Sequence, residues 1–349
     1  MLQGRAQFVR WTQPHLASAR IRRLLLMGGV SRKRAFAKSV ILTESSNQKL
    51  RDLMRRDDLV GAHIVVEAGL QGLEYQANSG EVWYLRLVRS DIIRLRGHVE
   101  EALAYIDSCE VLSPPQSHDV LSVAGLKKTR GYCLGLLGRF PLSHALLQEA
   151  ERLARDSGLL ELQCEVHQCQ AMVYYLQQDY SSSDRFFRII LNASEQIGGW
   201  YFRANALWGI GKNLMIQGHH RAAIPWLENS LALFESVGAA LSIATVWSEL
   251  AVCHLGLGDD RKSLDLLERA IQIDQKAGAV HNYQVGLANI GNVYLHRGDH
   301  LRAIDYYRRA LELAREIKDP ISIEKWSYNI RLAYARFRTS VDRLDSRTV

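Results

Sequence analysis

Proline is scarce, with six residues in 349, and that scarcity suits long helices because a proline inside a helix costs about 3 kcal/mol. Cysteine is sparse as well. Cys109, Cys133, Cys164, Cys169 and Cys253 are odd in number and lack a disulfide-framework spacing, which argues against a cystine-stapled fold. With no secretory signal, they point to a reducing compartment and a cytoplasmic protein. No apolar run approaches the roughly 18 residues of a membrane span, and Leu24–Met27 is far too short.

Acidic residues are absent from residues 1–43, which carry nine positive charges from Arg5 to Lys38. The net charge of the chain is +7, so the remainder is slightly acidic. That excludes a basic nucleic-acid platform over the rest of the chain; any attraction to phosphate belongs to residues 1–43. This segment reads as a solvated arm or cap, as an Arg-rich targeting segment that would make the protein mitochondrial, or as a weak contact for phosphate or anionic lipid.

Chemical motifs are missing too. Gly209-Ile210-Gly211-Lys212-Asn213 looks like a phosphate loop but lacks the upstream glycine and the hydroxyl residue after lysine, and it falls in mid-helix. Cys164, His167 and Cys169 do not share one helix face, and no further cluster completes a tetrahedral metal site. His219, His220, His296 and His300 stand at turns, where solvent exposure is the ordinary state. Asp259-Asp260 follows a turn glycine and is placed to cap the next helix. No nucleophile elbow appears. The expectation is a protein that is not an enzyme and needs no metal or cofactor.

What the sequence does hold is a ladder. Gly138, Gln178, Gly218, Gly258 and Gly298 are evenly spaced, forty positions from each to the next. Gly97 stands one residue off that register, and Gly158, Gly198, Gly238 and Gly278 fall halfway between the rungs. A break at every half-step predicts stacked helical hairpins. The spacing divides the chain into the basic segment 1–43, degenerate helical repeats over 44–112, five regular units over 120–317, and a capping helix with a polar tail over 318–349. The first hairpin turns near Asp57, one full step before Gly97, and the last helix, about Ile321–Arg338, covers the end of the stack.

Residue size repeats with the same step. Seven before each turn stand Ser90, Gly131, Ala171, Gly211, Ala251 and Gly291; five after it stand Ala102, Ser143, Ser183, Ala223, Ser263 and Ala303. Large residues fill the ninth place after the turn: Ile106, Leu147, Phe187, Leu227, Leu267 and Tyr307. Small against large lets two antiparallel helices approach closely and interdigitate.

The order of small and aromatic positions in Gly291, Tyr294, Gly298, Ala303, Tyr307 and Ala310 resembles the tetratricopeptide repeat, in a lengthened form similar to long-repeat members found in large bacterial regulators and in scaffolds. The resemblance covers about Leu50 to Arg338. It implies an all-α, right-handed superhelical solenoid whose first helix in each hairpin lines a concave groove. The family's inward positions fall at Lys128, Tyr132, Glu165, Gln168, Met172, Tyr175, Asn205, Trp208, Lys212 and Met215. They continue at Thr245, Ser248, Val252, Val285, Asn289, Asn292 and Leu295. The resemblance implies a non-catalytic scaffold or adaptor binding a peptide or helix of a partner protein. The alternative it allows is a sensor region of a bacterial signalling or transcription system, responding to a small molecule or a partner. A paired carboxylate clamp of the kind some members carry is not present in consecutive repeats.

Overall fold

The structure, a computed structural model, describes residues 44–73, 79–116 and 119–345; residues 1–43, with their arm, targeting and phosphate readings, lie outside it. Fifteen helices run in chain order through these residues. They are α1 (Glu44–Arg55), α2 (Leu59–Gly72), α3 (Gly80–Leu95), α4 (Val99–Leu112), α5 (Val120–Leu136), α6 (Phe140–Asp156), α7 (Leu160–Leu176) and α8 (Tyr180–Ile197). The rest are α9 (Trp200–Ile216), α10 (His220–Val237), α11 (Ala240–Gly256), α12 (Asp260–Ala277), α13 (Val280–His296), α14 (His300–Glu316) and α15 (Pro320–Asp345). Each helix packs mainly on the one before and the one after it, and alternate helices α5, α7, α9, α11, α13 also touch. The result is an α-solenoid of antiparallel hairpins.

Every rung of the glycine ladder is a left-handed residue. Gly97, Gly138, Gly158, Gly198, Gly218, Gly238, Gly258, Gly278 and Gly298 have φ between 68° and 95°, and the same conformation is taken by Asp57 (φ 60°), Gln178 (φ 64°) and Lys318 (φ 55°). Asp57 and Lys318 thus carry the ladder beyond its glycines in both directions. A left-handed non-glycine costs about 1–2 kcal/mol, part of which glycine gives back through a freer unfolded chain. Gln178→Gly is therefore expected to raise stability by about 0.5–1 kcal/mol, seen as a higher urea midpoint at an unchanged slope.

The size code is a contact code. A side chain begun at Gly131, Gly211 or Gly291 would meet Leu147 at 3.0 Å, Leu227 at 2.8 Å and Tyr307 at 2.8 Å, which are the large residues nine places after the corresponding turns. The small residues five after each turn are all fully buried. Their hydroxyls do not go unpaired as a rule: Ser143 donates to the carbonyl of Gly131 at 2.7 Å and so ties the two helices of its hairpin together. Gly209 and Gly211, the phosphate-loop look-alike, lie inside α9, where the Phe187 ring occupies the space a side chain at Gly209 would need.

At the C-terminus the chain departs from expectation in length. α15 runs through Asp345, seven residues past the anticipated end. Asp319 accepts from the Ser322 backbone N–H at 3.1 Å and Pro320 opens the helix, so these two residues start it. Trp326 is buried against α13 and α14, with its indole N–H donating to Gln284 at 3.4 Å, which covers the last apolar face.

Candidate functional site

The seventeen residues anticipated for the groove lie on α5, α7, α9, α11 and α13. Sixteen of the seventeen are half-buried. Met215 is buried and belongs to the apolar core that runs from α9 to α13. The others stack in register because equivalent positions recur from one hairpin to the next.

Contacts along this face run on a different step. Lys128 Nζ meets Glu165 Oε2 at 2.5 Å, Gln168 Nε2 donates to Asn205 Oδ1 at 3.3 Å, and Lys212 Nζ meets Glu249 Oε1 at 3.3 Å. Each pair is separated by 37 residues, because a residue touches the neighbouring helix almost one turn before its own equivalent. Asp91 sits one such step before Lys128 and also pairs with Arg94 at 3.1 Å. Arg94 lies over the Tyr132 ring at 4.9 Å, and the Lys212 ammonium sits 4.6 Å from the Trp208 ring and 4.9 Å from that of Tyr175.

These charges are held rather than offered. Burial works against the Lys128 ammonium, but Glu165 and then Asp91 more than offset it, so its pKa lies above the usual lysine value. Burial likewise opposes the charge on Lys212, and Glu249 with Tyr175 reverses the effect. On the partner side, burial raises the Glu249 pKa and the Lys212 charge recovers only part of it. The Trp208 indole lies near enough to lower it slightly, yet neither Trp208 Nε1 nor Glu249 Oε2 completes a hydrogen bond. Burial also pushes the Cys169 thiol, beside Lys128 and Arg94, up to about 12, so it is not a ready nucleophile.

With the cations neutralised by their own carboxylates, the remaining polar groups at these positions are amides, hydroxyls and ring faces. Asn205 Nδ2 donates to the Tyr201 carbonyl at 2.9 Å, which fixes the orientation of its amide so that Oδ1 accepts from Gln168. Asn292 Nδ2 donates to Asn289 Oδ1 at 3.4 Å while its own Oδ1 accepts from Tyr307 OH at 2.6 Å. Thr245 Oγ1 returns to the Leu241 carbonyl at 2.9 Å. Met172 packs at the edge of the α7–α9 core and Val252 and Leu295 at the edges of cores further along, while Val285 borders the buried cluster around Trp326.

Four residues that pack against these positions are missing from the family-based list: Asp91, Arg94, Cys169 and Glu249. For Asp91 and Glu249 the signal was present in the sequence, as a charge complementary to Lys128 and Lys212 at 37 residues. A comparison made at the full repeat length passes over it.

The remaining polar candidates have local partners. Asp259 caps α12 by accepting from the Lys262 backbone N–H at 3.0 Å, whereas Asp260 accepts from His296 Nδ1 at 2.9 Å and from Arg297 Nε at 3.3 Å. His167 Nε2 lies 3.6 Å from Glu151, away from the groove cysteine. Among the described residues no group of three or more His, Cys, Asp or Glu is arranged to hold a metal ion, and no helix is long and apolar enough to cross a membrane.

Comparison with known proteins agrees with this architecture. Residues 202–276 and 242–316 each match the family model for the tetratricopeptide repeat. Residues 202–316 of the chain are therefore tetratricopeptide repeats, and the fold over the rest of the described residues is of the same kind. A Rap protein solved in complex with competence and sporulation factor shares its fold with a TM-score of 0.65 at 18% identity, over 89% of this chain and 88% of that one. NprR in complex with its cognate peptide NprX gives 0.59 at 14% identity, over 84% and 88%. A signal transduction ATPase with a tetratricopeptide-repeat sensor from Pyrococcus horikoshii gives 0.58 at 14%, over 93% of this chain and 53% of that one. No curated protein matches the sequence.

Proposed function

We propose that this chain is a non-catalytic regulatory receptor that binds a short extended peptide along the inward faces of α5 to α13. The observation that carries the reading is the self-neutralised strip: Lys128 with Glu165 and Lys212 with Glu249 leave Gln168, Asn205, Asn289 and Asn292 as the polar groups of the face. A carboxamide offers both a donor and an acceptor, which matches the N–H and C=O of a peptide backbone, and Trp208 and Tyr175 supply flat apolar area beside it. The fold shared with the Rap and NprR peptide complexes supports a regulatory role over that of a general adaptor.

The test is a thermal-shift screen of the full chain against pools of short unmodified peptides and, separately, against small metabolites. A ligand at 100 times its dissociation constant adds about 2.7 kcal/mol to native stability. Stabilisation by a peptide is expected, and it should be lost in Asn205→Ala combined with Asn289→Ala. Stabilisation by a metabolite alone, or an undiminished peptide shift in that variant, would sink the reading.

A further inference from the structure

The turn between α1 and α2 reaches across the solenoid. Asp57 Oδ2 accepts from the backbone N–H of Ser242 at 2.8 Å, a contact spanning 185 residues. Arg55 beside it meets Glu161 at 3.4 Å, and its guanidinium lies 5.1 Å from the Tyr201 ring and 5.6 Å from that of Phe202. Glu161 and Tyr201 stand four residues before the groove positions Glu165 and Asn205, and Ser242 stands three before Thr245. One helical turn separates each of these contacts from the groove face, so the first hairpin touches the N-terminal edge of that face on three successive hairpins.

The sequence around these contacts explains why the joint forms. The residue before α11 is Ala239, which has no side-chain oxygen to cap the helix, and the carboxylate of Asp57 fills that place from the other end of the molecule. It also explains why the joint is loose. The hairpin's apolar residues Leu50, Ala62 and Val66 are shared with Leu85, Val88 and Ile92 of α3, and not with α7, α9 or α11. Burial also works against the charge that Asp57 brings to the contact. Glu161 keeps 44% of its side chain exposed, so the ion pair with Arg55 is screened.

We propose that the Arg55–Asp57 turn is a reversible latch, which in the ligand-free chain ties the first hairpin to the N-terminal ends of α7, α9 and α11 and so closes one edge of the groove. That the latch guards a peptide rests on the function proposed above; that it opens and closes does not.

Hydrogen exchange on the full chain without ligand tests it. In the wild type, the Ser242 amide should exchange more slowly than those of Leu162 and Phe202, which occupy the same place in α7 and α9, where no side chain caps the helix. It should still exchange faster than interior amides of α11. Asp57→Gly keeps the turn conformation while removing the carboxylate, and should speed exchange at Ser242 at least tenfold with no change at Leu250. Adding Arg55→Ala should enlarge the radius of gyration in small-angle scattering. Three results would overturn the latch: unchanged Ser242 exchange in Asp57→Gly, wild-type Ser242 exchange as slow as the interior of α11, or an unchanged radius in the double variant. Failure of peptides to stabilise the chain would leave these readouts intact and remove the groove reading alone.

Discussion

Glu249→Ala should lower the unfolding free energy by about 3–5 kcal/mol, because it leaves the Lys212 ammonium half-buried among α7, α9 and α11 with no opposite charge. Glu249 is nearly out of solvent and Lys212 keeps only 19% of its side chain exposed, so water restores little of what the pair supplies. The Trp208 and Tyr175 rings hold the cation in place but cannot replace a full negative charge. A double substitution, Lys212→Met with Glu249→Leu, should recover most of the loss, since two apolar residues of similar volume need no pairing. The pair then serves specificity of the face more than stability. Urea unfolding of the two single variants and the double variant, read as a cycle, measures the coupling. A loss below about 1 kcal/mol in Glu249→Ala would mean that water reaches Lys212 and that the groove floor is open.

A second large effect should appear with pH. Asp274 is buried, sixteen residues after its turn glycine, where the other hairpins carry Ala154, Ser194, Phe234 and Ala314. Burial pushes its carboxyl up to about 7, and a hydrogen bond from Asn282 recovers only part of the cost; Oδ1 has no partner. In the unfolded chain the same group titrates near 3.8. Between those values the native state holds a proton that the unfolded state has lost, so stability is full below about pH 4, falls as pH rises, and levels off above about pH 7. The loss is on the order of 4 kcal/mol. Asp274→Asn should remove this slope, matching the wild type at acid pH and exceeding it by several degrees in melting temperature at pH 8. Parallel melting curves for the two proteins from pH 4 to 8 would refute the assignment.

Asp274 also marks how much of this molecule was legible in its sequence. The turn ladder and the small-and-large code gave helix positions within a residue or two through the regular units, because both record contacts inside one hairpin and between neighbours. Such contacts fall at fixed spacings in any solenoid. Gly211 against Leu227 and Gly291 against Tyr307 are therefore readable as numbers before they are seen as distances. The groove positions came from the family resemblance, and one of them, Met215, lies in the core.

Pairing across the groove was harder to read, since its step falls short of the full repeat and depends on how far each helix is shifted against the next. Lys212 was visible as an inward lysine. That Glu249 neutralises it, and so changes the face from a charged surface to an amide-lined one, follows only from the stacking.

The sequence alone determined the period, the alternation of small and large side chains and the near-absence of proline, and these fix an α-solenoid because each acts within a single repeat. The superhelical path decided the rest. It brought Asp57 to Ser242 across 185 residues of chain, where no periodicity in the sequence relates the two, since their distance is the sum of many small rotations between hairpins.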